Sequence, residues 1–249
     1  MSARSHLPMN NAHDLSYPEI REAVQKLCAQ FPGAYWQSMD RDRSYPNEFV
    51  SALTQSGFLS VLIPEQYGGS GLGLAAAAAV LEEIHRSGGN GGACHAQMYT
   101  MGTLLRHGSV EQKEHFLPKI ASGELRLQAF GVTEPTSGTD TTRITTFARR
   151  EGDHYVVSGQ KIWTSRAEHS DLLVLLVRTQ KRDEAARPSK GLSVLLVDMR
   201  DVLGNGLTIR PIRTMLNHGT HRAVFDEMSV LQAALLEKRG RVLNTFLTA

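Results

Sequence analysis

Two short stretches concentrate residues able to hold a flat ligand with apolar faces and a polar edge. The first is Phe130-Gly131-Val132-Thr133-Glu134-Pro135, and the second is Gly159-Gln160-Lys161-Ile162-Trp163-Thr164-Ser165. Each closes a β-type run with hydroxyl residues beside an aromatic residue or a proline. A redox ring such as a flavin asks for this chemistry: an aromatic or aliphatic wall, with hydroxyl or N–H donors at the rim. Thr and Trp are also ordinary strand residues, so by type alone the two stretches read first as plain sheet.

Other candidate groups carry less. The ten histidines have no standard metal-ligand spacing, and no metal site is expected. Glu134 and Asp140 could form a carboxylate pair, but turn and strand-end roles are the expectation for both. Cys28 and Cys94 are far apart in no redox or metal pattern and read as buried thiols of a reducing compartment. Gly69-Ser70-Gly71-Leu72-Gly73 lacks the spacing and the Lys of a phosphate loop. A net charge of +2 gives no electrostatic case for nucleic acid, and no apolar run has the length of a membrane span. Residues 1–14 lack the apolar block of a signal peptide and read as a disordered lead-in.

The surrounding elements change character near residue 125. Ser16-Tyr17-Pro18-Glu19 opens a helix with Ile20, Val24, Leu27 and Phe31 on one face. A second helix is predicted from about Ser44 to Gly57, burying Phe49 and Leu53. Phe58 to Gly69 reads as a short extended piece entering a glycine turn. Helices are predicted from Leu74 to about Arg86, from Ala93 to Arg106, and from Ser109, with Gln112 completing a capping box, to just before Gly123. Strands are predicted at 144–150, 155–158, 171–178 and 192–199, with short ones at 208–212 and 222–225. Glu151-Gly152-Asp153 forms a hairpin turn. The unbroken apolar run Leu172–Val177 predicts a strand buried on both faces.

Five segments, in order, resemble the acyl-CoA dehydrogenase family: Ile63–Gly69, Glu111–Pro118, Ala121–Glu124, Phe130–Asp140 and Gly159–Ser165. The resemblance runs from about Leu15 to Met228. It implies an α+β architecture, with an N-terminal helical bundle over 15–124 and an antiparallel β-barrel or sandwich domain over 125–228. It implies FAD as cofactor. Phe130, Val132 and Thr133 would line the flavin, with Thr133 bonding its pyrimidine edge. Trp163 would pack by the ring beside Thr164, and Ser165 would donate near N5. Gly138 and Thr139 would contact the pantetheine arm of a thioester. The implied reaction is α,β-dehydrogenation of an acyl-CoA, with electrons passed to an electron-transfer flavoprotein. A homo-oligomer is implied, in the cytoplasm or, in a eukaryote, the mitochondrial matrix. The alternative is a non-catalytic fragment that binds flavin, thioester or intact subunits. Two departures stand out: Thr136-Ser137-Gly138-Thr139 where the family often has Gly-Ala-Gly-Ser, and Thr164-Ser165-Arg166 where it often has Ile-Thr-Asn.

The resemblance stops at Met228. The family's carboxylate base belongs to a helical domain that follows the β domain, so no catalytic residue is assigned here, and residues 229–249 form a tail unlike the family. Codons can be chosen for Leu236–Leu247, LEKRGRVLNTFL, that read IGEEGQGFEYIL when the frame moves by one nucleotide. That string resembles the family's I-G-E-E-G-x-G-F segment. The expectation is a tail from a shifted reading frame, and a truncated, inactive chain.

Overall fold

A computed structural model describes residues 17–216 and 219–236. Helix α1 (Pro18–Cys28) buries Val24, Leu27 and Cys28. Ser16 lies outside the described residues. Tyr17 takes the cap position with a left-handed backbone and no side-chain cap bond. Helix α2 (Gly33–Arg41) was not anticipated; its N-cap, Pro32, offers no side-chain acceptor. Aromatic edges hold the region together: Phe31, Tyr35, Trp36 and Phe49 pack ring on ring at 4.8–5.2 Å. Helix α3 (Asn47–Gln55) buries Phe49 and Leu53 as its periodicity predicts.

Phe58–Gly69 is not extended. It winds through two 3-10 turns, Phe58–Ser60 and Glu65–Tyr67. The chain then returns across them: Gly71 N–H donates to Ile63 O and Leu72 N–H to Val61 O, both at 2.8 Å. Gly69 makes this crossing possible, because a Cβ there would lie 2.0 Å from Ile63 O. Gly69→Ala is expected to destabilise the fold by about 2–3 kcal/mol, the upper range for overpacking. A lowered urea midpoint at unchanged m-value checks this.

Helices α4 (Leu74–Arg86), α5 (Gly92–His107) and α6 (Val110–Ser122) complete the helical part. The capping box of α6 forms as read: Ser109 Oγ accepts from Gln112 N–H, and Gln112 Oε1 accepts from Ser109 N–H. A buried carboxylate joins α1 to α4, with Glu83 accepting from Arg21 and Gln25, each at 2.7 Å.

Seven strands follow: β1 (Leu127–Gly131), β2 (Phe147–Glu151), β3 (His154–Ser165), β4 (Leu172–Arg178), β5 (Leu192–Asp198), β6 (Leu207–Ile212) and β7 (Thr220–Leu231), with a one-turn helix α7 (Met199–Val202) after β5. They form one sheet in the order β1-β4-β2-β3-β7-β6, with β5 also on β4. Most pairings are antiparallel, but β1 and β2 each run parallel to β4, so the sheet is mixed. The long connection from β1 to β4, which contains the whole β2–β3 hairpin, is what a parallel pair needs. β3 runs on through Gly159–Ser165, well past the predicted end at 158.

Strand β4 is buried along its whole length. Leu172, Val174 and Leu176 face the helices with Met101, Leu104 and Leu117. Leu173, Leu175 and Val177 face the inside of the curled sheet with Tyr155, Val157 and Phe225. One strand therefore belongs to both cores and ties the two parts together.

Candidate functional site

The sheet curls until the end of β1 reaches the far half of β3. Ile162 N–H donates to Thr133 O at 2.9 Å, which joins the two chemically loaded stretches of the sequence. A buried ion pair fixes the join. Lys161, fully buried, donates from Nζ to Val132 O at 3.0 Å and to Glu134 Oε1 at 2.9 Å. Glu134 also accepts from the N–H and hydroxyl of Thr145 and from the N–H of Thr146, at 2.7–2.9 Å. Burial alone would raise the Glu134 carboxyl, but Lys161 and these donors outweigh it and hold it down to about 2. Burial pushes the Lys161 ammonium down to about 8, against the pull of Glu134.

Beyond the clamp the ladder slips, with a bulge between Lys161 and Thr164. Trp163 sits on the bulge with φ 61° and is 54% exposed. Such a backbone is an outlier for a bulky side chain, and bulges commonly re-aim a residue at a working site. Here the indole is exposed, one residue on from Ile162, which bonds to Thr133; Val132 and Thr133 are half-buried. Ser165 stands at the strand end opposite Thr220. Thr164, grouped with these residues in the sequence, is instead fully buried, and its Oγ1 has no hydrogen-bond partner. The bulge sends neighbouring side chains to opposite sides.

The aromatic surface extends onto the helices. The Phe130 ring meets Tyr99 edge-on at 5.6 Å, and Tyr99 lies 5.1 Å from His95, one turn back on α5. The sequence reading did not single out Tyr99 or His95, although their i, i+4 spacing within one helix would have placed them together. Gly138 and Thr139 are exposed on the turn that follows Glu134, and a Cβ on Gly138 would meet only open space. In that turn Ser137 Oγ donates to Asp140 O at 2.6 Å, and Asp140 accepts from Thr142 N–H and Oγ1. The Thr142 hydroxyl, with its backbone N–H, lowers the Asp140 carboxyl below its ordinary value. Glu134 and Asp140 are therefore both engaged in local structure. Among the described residues no group of three or more His, Cys, Asp or Glu is arranged to hold a metal ion. No described helix is long and apolar enough to cross a membrane.

An exposed indole, with an aliphatic residue and hydroxyl residues on the two joined stretches, is the set of side chains that a flat ring with a polar edge asks for. Comparison with known proteins gives this arrangement its context. Residues 17–124 match the family model "Acyl-CoA dehydrogenase, N-terminal domain", and residues 129–228 match "Acyl-CoA dehydrogenase, middle domain". The chain is 34% identical to mitochondrial isovaleryl-CoA dehydrogenase of Pongo abelii over 209 residues, covering 80% of this chain and 48% of that protein. It is 34% identical to glutaryl-CoA dehydrogenase of Desulfococcus multivorans over 230 residues, covering 89% and 56%. The crystal structure of an acyl-CoA dehydrogenase from Geobacillus kaustophilus superposes with a TM-score of 0.85 at 26% identity, covering 99% of this chain and 63% of that one. The chain spans about half the length of the curated relatives it matches. Two family domains matched in sequence order, on a helical part and a curled sheet that meet at β4, show that this chain belongs to the acyl-CoA dehydrogenase family.

Proposed function

We propose that this chain carries the cofactor- and thioester-recognition portion of an FAD-dependent acyl-CoA dehydrogenase. One observation supports the reading most: the Ile162–Thr133 hydrogen bond brings the stretch holding Val132 and Thr133 beside the stretch holding Trp163 and Ser165. Phe130, Val132 and Trp163 would wall the ring, while Thr133 and Ser165 would bond its rim. Thr164, grouped with these residues by the resemblance, is fully buried beside them, and its hydroxyl makes no hydrogen bond among the described residues. FAD, when bound, supplies the hydride acceptor for α,β-dehydrogenation of an acyl-CoA. Gly138 and Thr139, on their exposed turn, would meet the pantetheine arm. Transfer of electrons to an electron-transfer flavoprotein and assembly with copies of itself belong to the same reading.

The edge walls the ring on one side only, since Trp163 is already half exposed. FAD is therefore expected to bind weakly and to be lost on extensive dialysis. Ser165→Ala should weaken binding by about 1 kcal/mol, the worth of one hydrogen bond, or roughly fivefold in Kd. Flavin fluorescence titration measures both. Stoichiometric yellow protein surviving dialysis would contradict the one-sided wall. A Kd unmoved by either Ser165→Ala or Trp163→Ala would place the flavin elsewhere.

A second reading, a non-catalytic flavin- or thioester-binding fragment, is favoured by the commitments of Glu134 and Asp140 to local structure. It agrees with the expectation that this chain is inactive by itself, its tail arising from a shifted frame. Sequencing the DNA after codon 228 decides the origin of the tail. Codons unable to encode the I-G-E-E-G segment in another frame would exclude the shift.

A further inference from the structure

Arg166 follows the edge directly and turns away from it. Its backbone is left-handed, with φ 54°, and its N–H donates to Gly219 O. The residue is only 6% exposed. Its guanidinium lies against the start of α5, where a Cβ on Gly92 would come within 2.2 Å of Nη2. Among the described residues, this guanidinium makes no ion pair and no hydrogen bond. The ionisable groups that bear most on it are Tyr45, Cys94 and Tyr99. Burial raises all three above their ordinary values, Cys94 to about 12, so none carries charge at neutral pH.

A buried guanidinium stays protonated, and a buried charge without a partner is strongly destabilising. The location adds to the cost, because the N-terminus of the 16-residue α5 is itself a positive dipole end. Two sources of positive potential therefore converge on one spot. The spot opens on a cavity of about 310 Å³ lined by Arg166, Arg43, His85, His169 and Asn90, with Asp40 the one acidic residue among the described residues that line it. The His169 ring, stacked on Tyr45 at 4.2 Å, closes one side.

We propose that this cavity binds a small oxyanion, a carboxylate or a phosphate, with Arg166 as the principal partner. The anion supplies the missing counter-charge, and Arg43, His85 and Asn90 offer further donors around it. The cavity has more room than the anionic group alone requires, so that group is the end of a larger ligand. Two sources share this chemistry: a carboxylate on the far end of an acyl group, and a phosphate of a nucleotide. The assignment stands apart from the flavin reading, since the cavity has no residue in common with the edge of Val132, Thr133, Trp163 and Ser165.

The test titrates the full 249-residue chain with glutarate and, separately, with inorganic phosphate, each against sodium chloride at equal ionic strength. Tryptophan fluorescence reports binding, because Trp36 lines the cavity; thermal unfolding is the second readout. A saturable response to at least one anion, absent with chloride, is expected. Preference for glutarate identifies an acyl carboxylate, and preference for phosphate identifies a nucleotide. Arg166→Gln should weaken binding at least tenfold, while Arg166→Lys keeps part of it. With no counter-charge bound, Arg166→Gln should also raise the melting temperature in low salt. If neither anion gives a saturable response with the unmodified chain, or if Arg166→Gln binds within twofold of it, the proposal is overturned.

Discussion

Glu134→Gln is expected to cost this protein about 3–5 kcal/mol, the usual result of leaving a buried charge without its partner. Lys161 would remain fully buried with only Val132 O to accept from it. The glutamine could still accept from Thr145 or Thr146, but its amide would present a donor to the ammonium. Since a domain of this size has about 5–15 kcal/mol to lose, much of the population would unfold under mild denaturant. The double variant Glu134→Gln/Lys161→Met should recover part of the loss, because the unpaired charge is gone. A pH series gives an independent check. The Glu134 carboxyl is held down to about 2 in the folded protein, against about 4.3 in an unfolded chain. Its stabilisation is therefore complete above about pH 5 and is lost as the pH falls towards 2, amounting to about 3 kcal/mol. Urea midpoints at pH 7, 5 and 3 should fall more steeply in the parent than in Glu134→Gln. Parallel acid limbs would mean that the pair does not set acid stability.

The second large effect concerns turnover. Assayed on acyl-CoA thioesters with added FAD and a dye acceptor, the 249-residue chain should show no measurable dehydrogenation. Abstraction of an α-proton needs a carboxylate that is available and aimed. Glu134 is bound by Lys161 and two threonines, and Asp140 by Thr142. General-base catalysis is worth about 10²–10⁴-fold, and a misplacement of about 1 Å can cost another 10²-fold. Both losses fall on one site, so they need not multiply. The comparison is with a protein whose reading frame after Met228 is altered to encode the I-G-E-E-G segment. Equal rates from the two would reveal a base among the residues described here.

What could be read from the sequence was what local rules determine. Ser109 and Gln112 announce the start of α6 because a capping box is complete within four residues. Leu172–Val177 announces a doubly buried strand because only a sandwiched strand tolerates an unbroken apolar run. Helix α2 gives no such signal, since Pro32 caps nothing and the helix depends on rings from Phe31 and Phe49. The apolar run near Val61 looks extended until Gly69 allows the chain to recross it. The parallel pairing of β1 with β4 is a non-local fact, and hydrophobic alternation carries no strand direction. The site divides in the same way. The residues proposed to face a ligand were named by motif, but the clamp beside them was not, because Lys161 in Gly-Gln-Lys reads as a surface lysine. Arg166 stands out in the sequence only as a departure from the family pattern; its burial is not legible there, because arginine is seldom buried without a partner.

The parallel pairing of β1 and β4 has a consequence for how this chain is made. Leu127 and its partner Leu172 are 45 positions apart. At synthesis rates of about 5–20 residues per second, β1 leaves the ribosome roughly 2–9 s before the strand it must pair with. During that interval β1 can be covered by the helices made before it and by the β2–β3 hairpin that emerges ahead of β4. Helix α5 is already complete and bears the needed contact, because Thr100 Oγ1 donates to Leu127 O at 2.6 Å. The helical part is therefore the first partner available to β1, and a chain truncated before β4 is expected to keep the contact between α5 and Leu127.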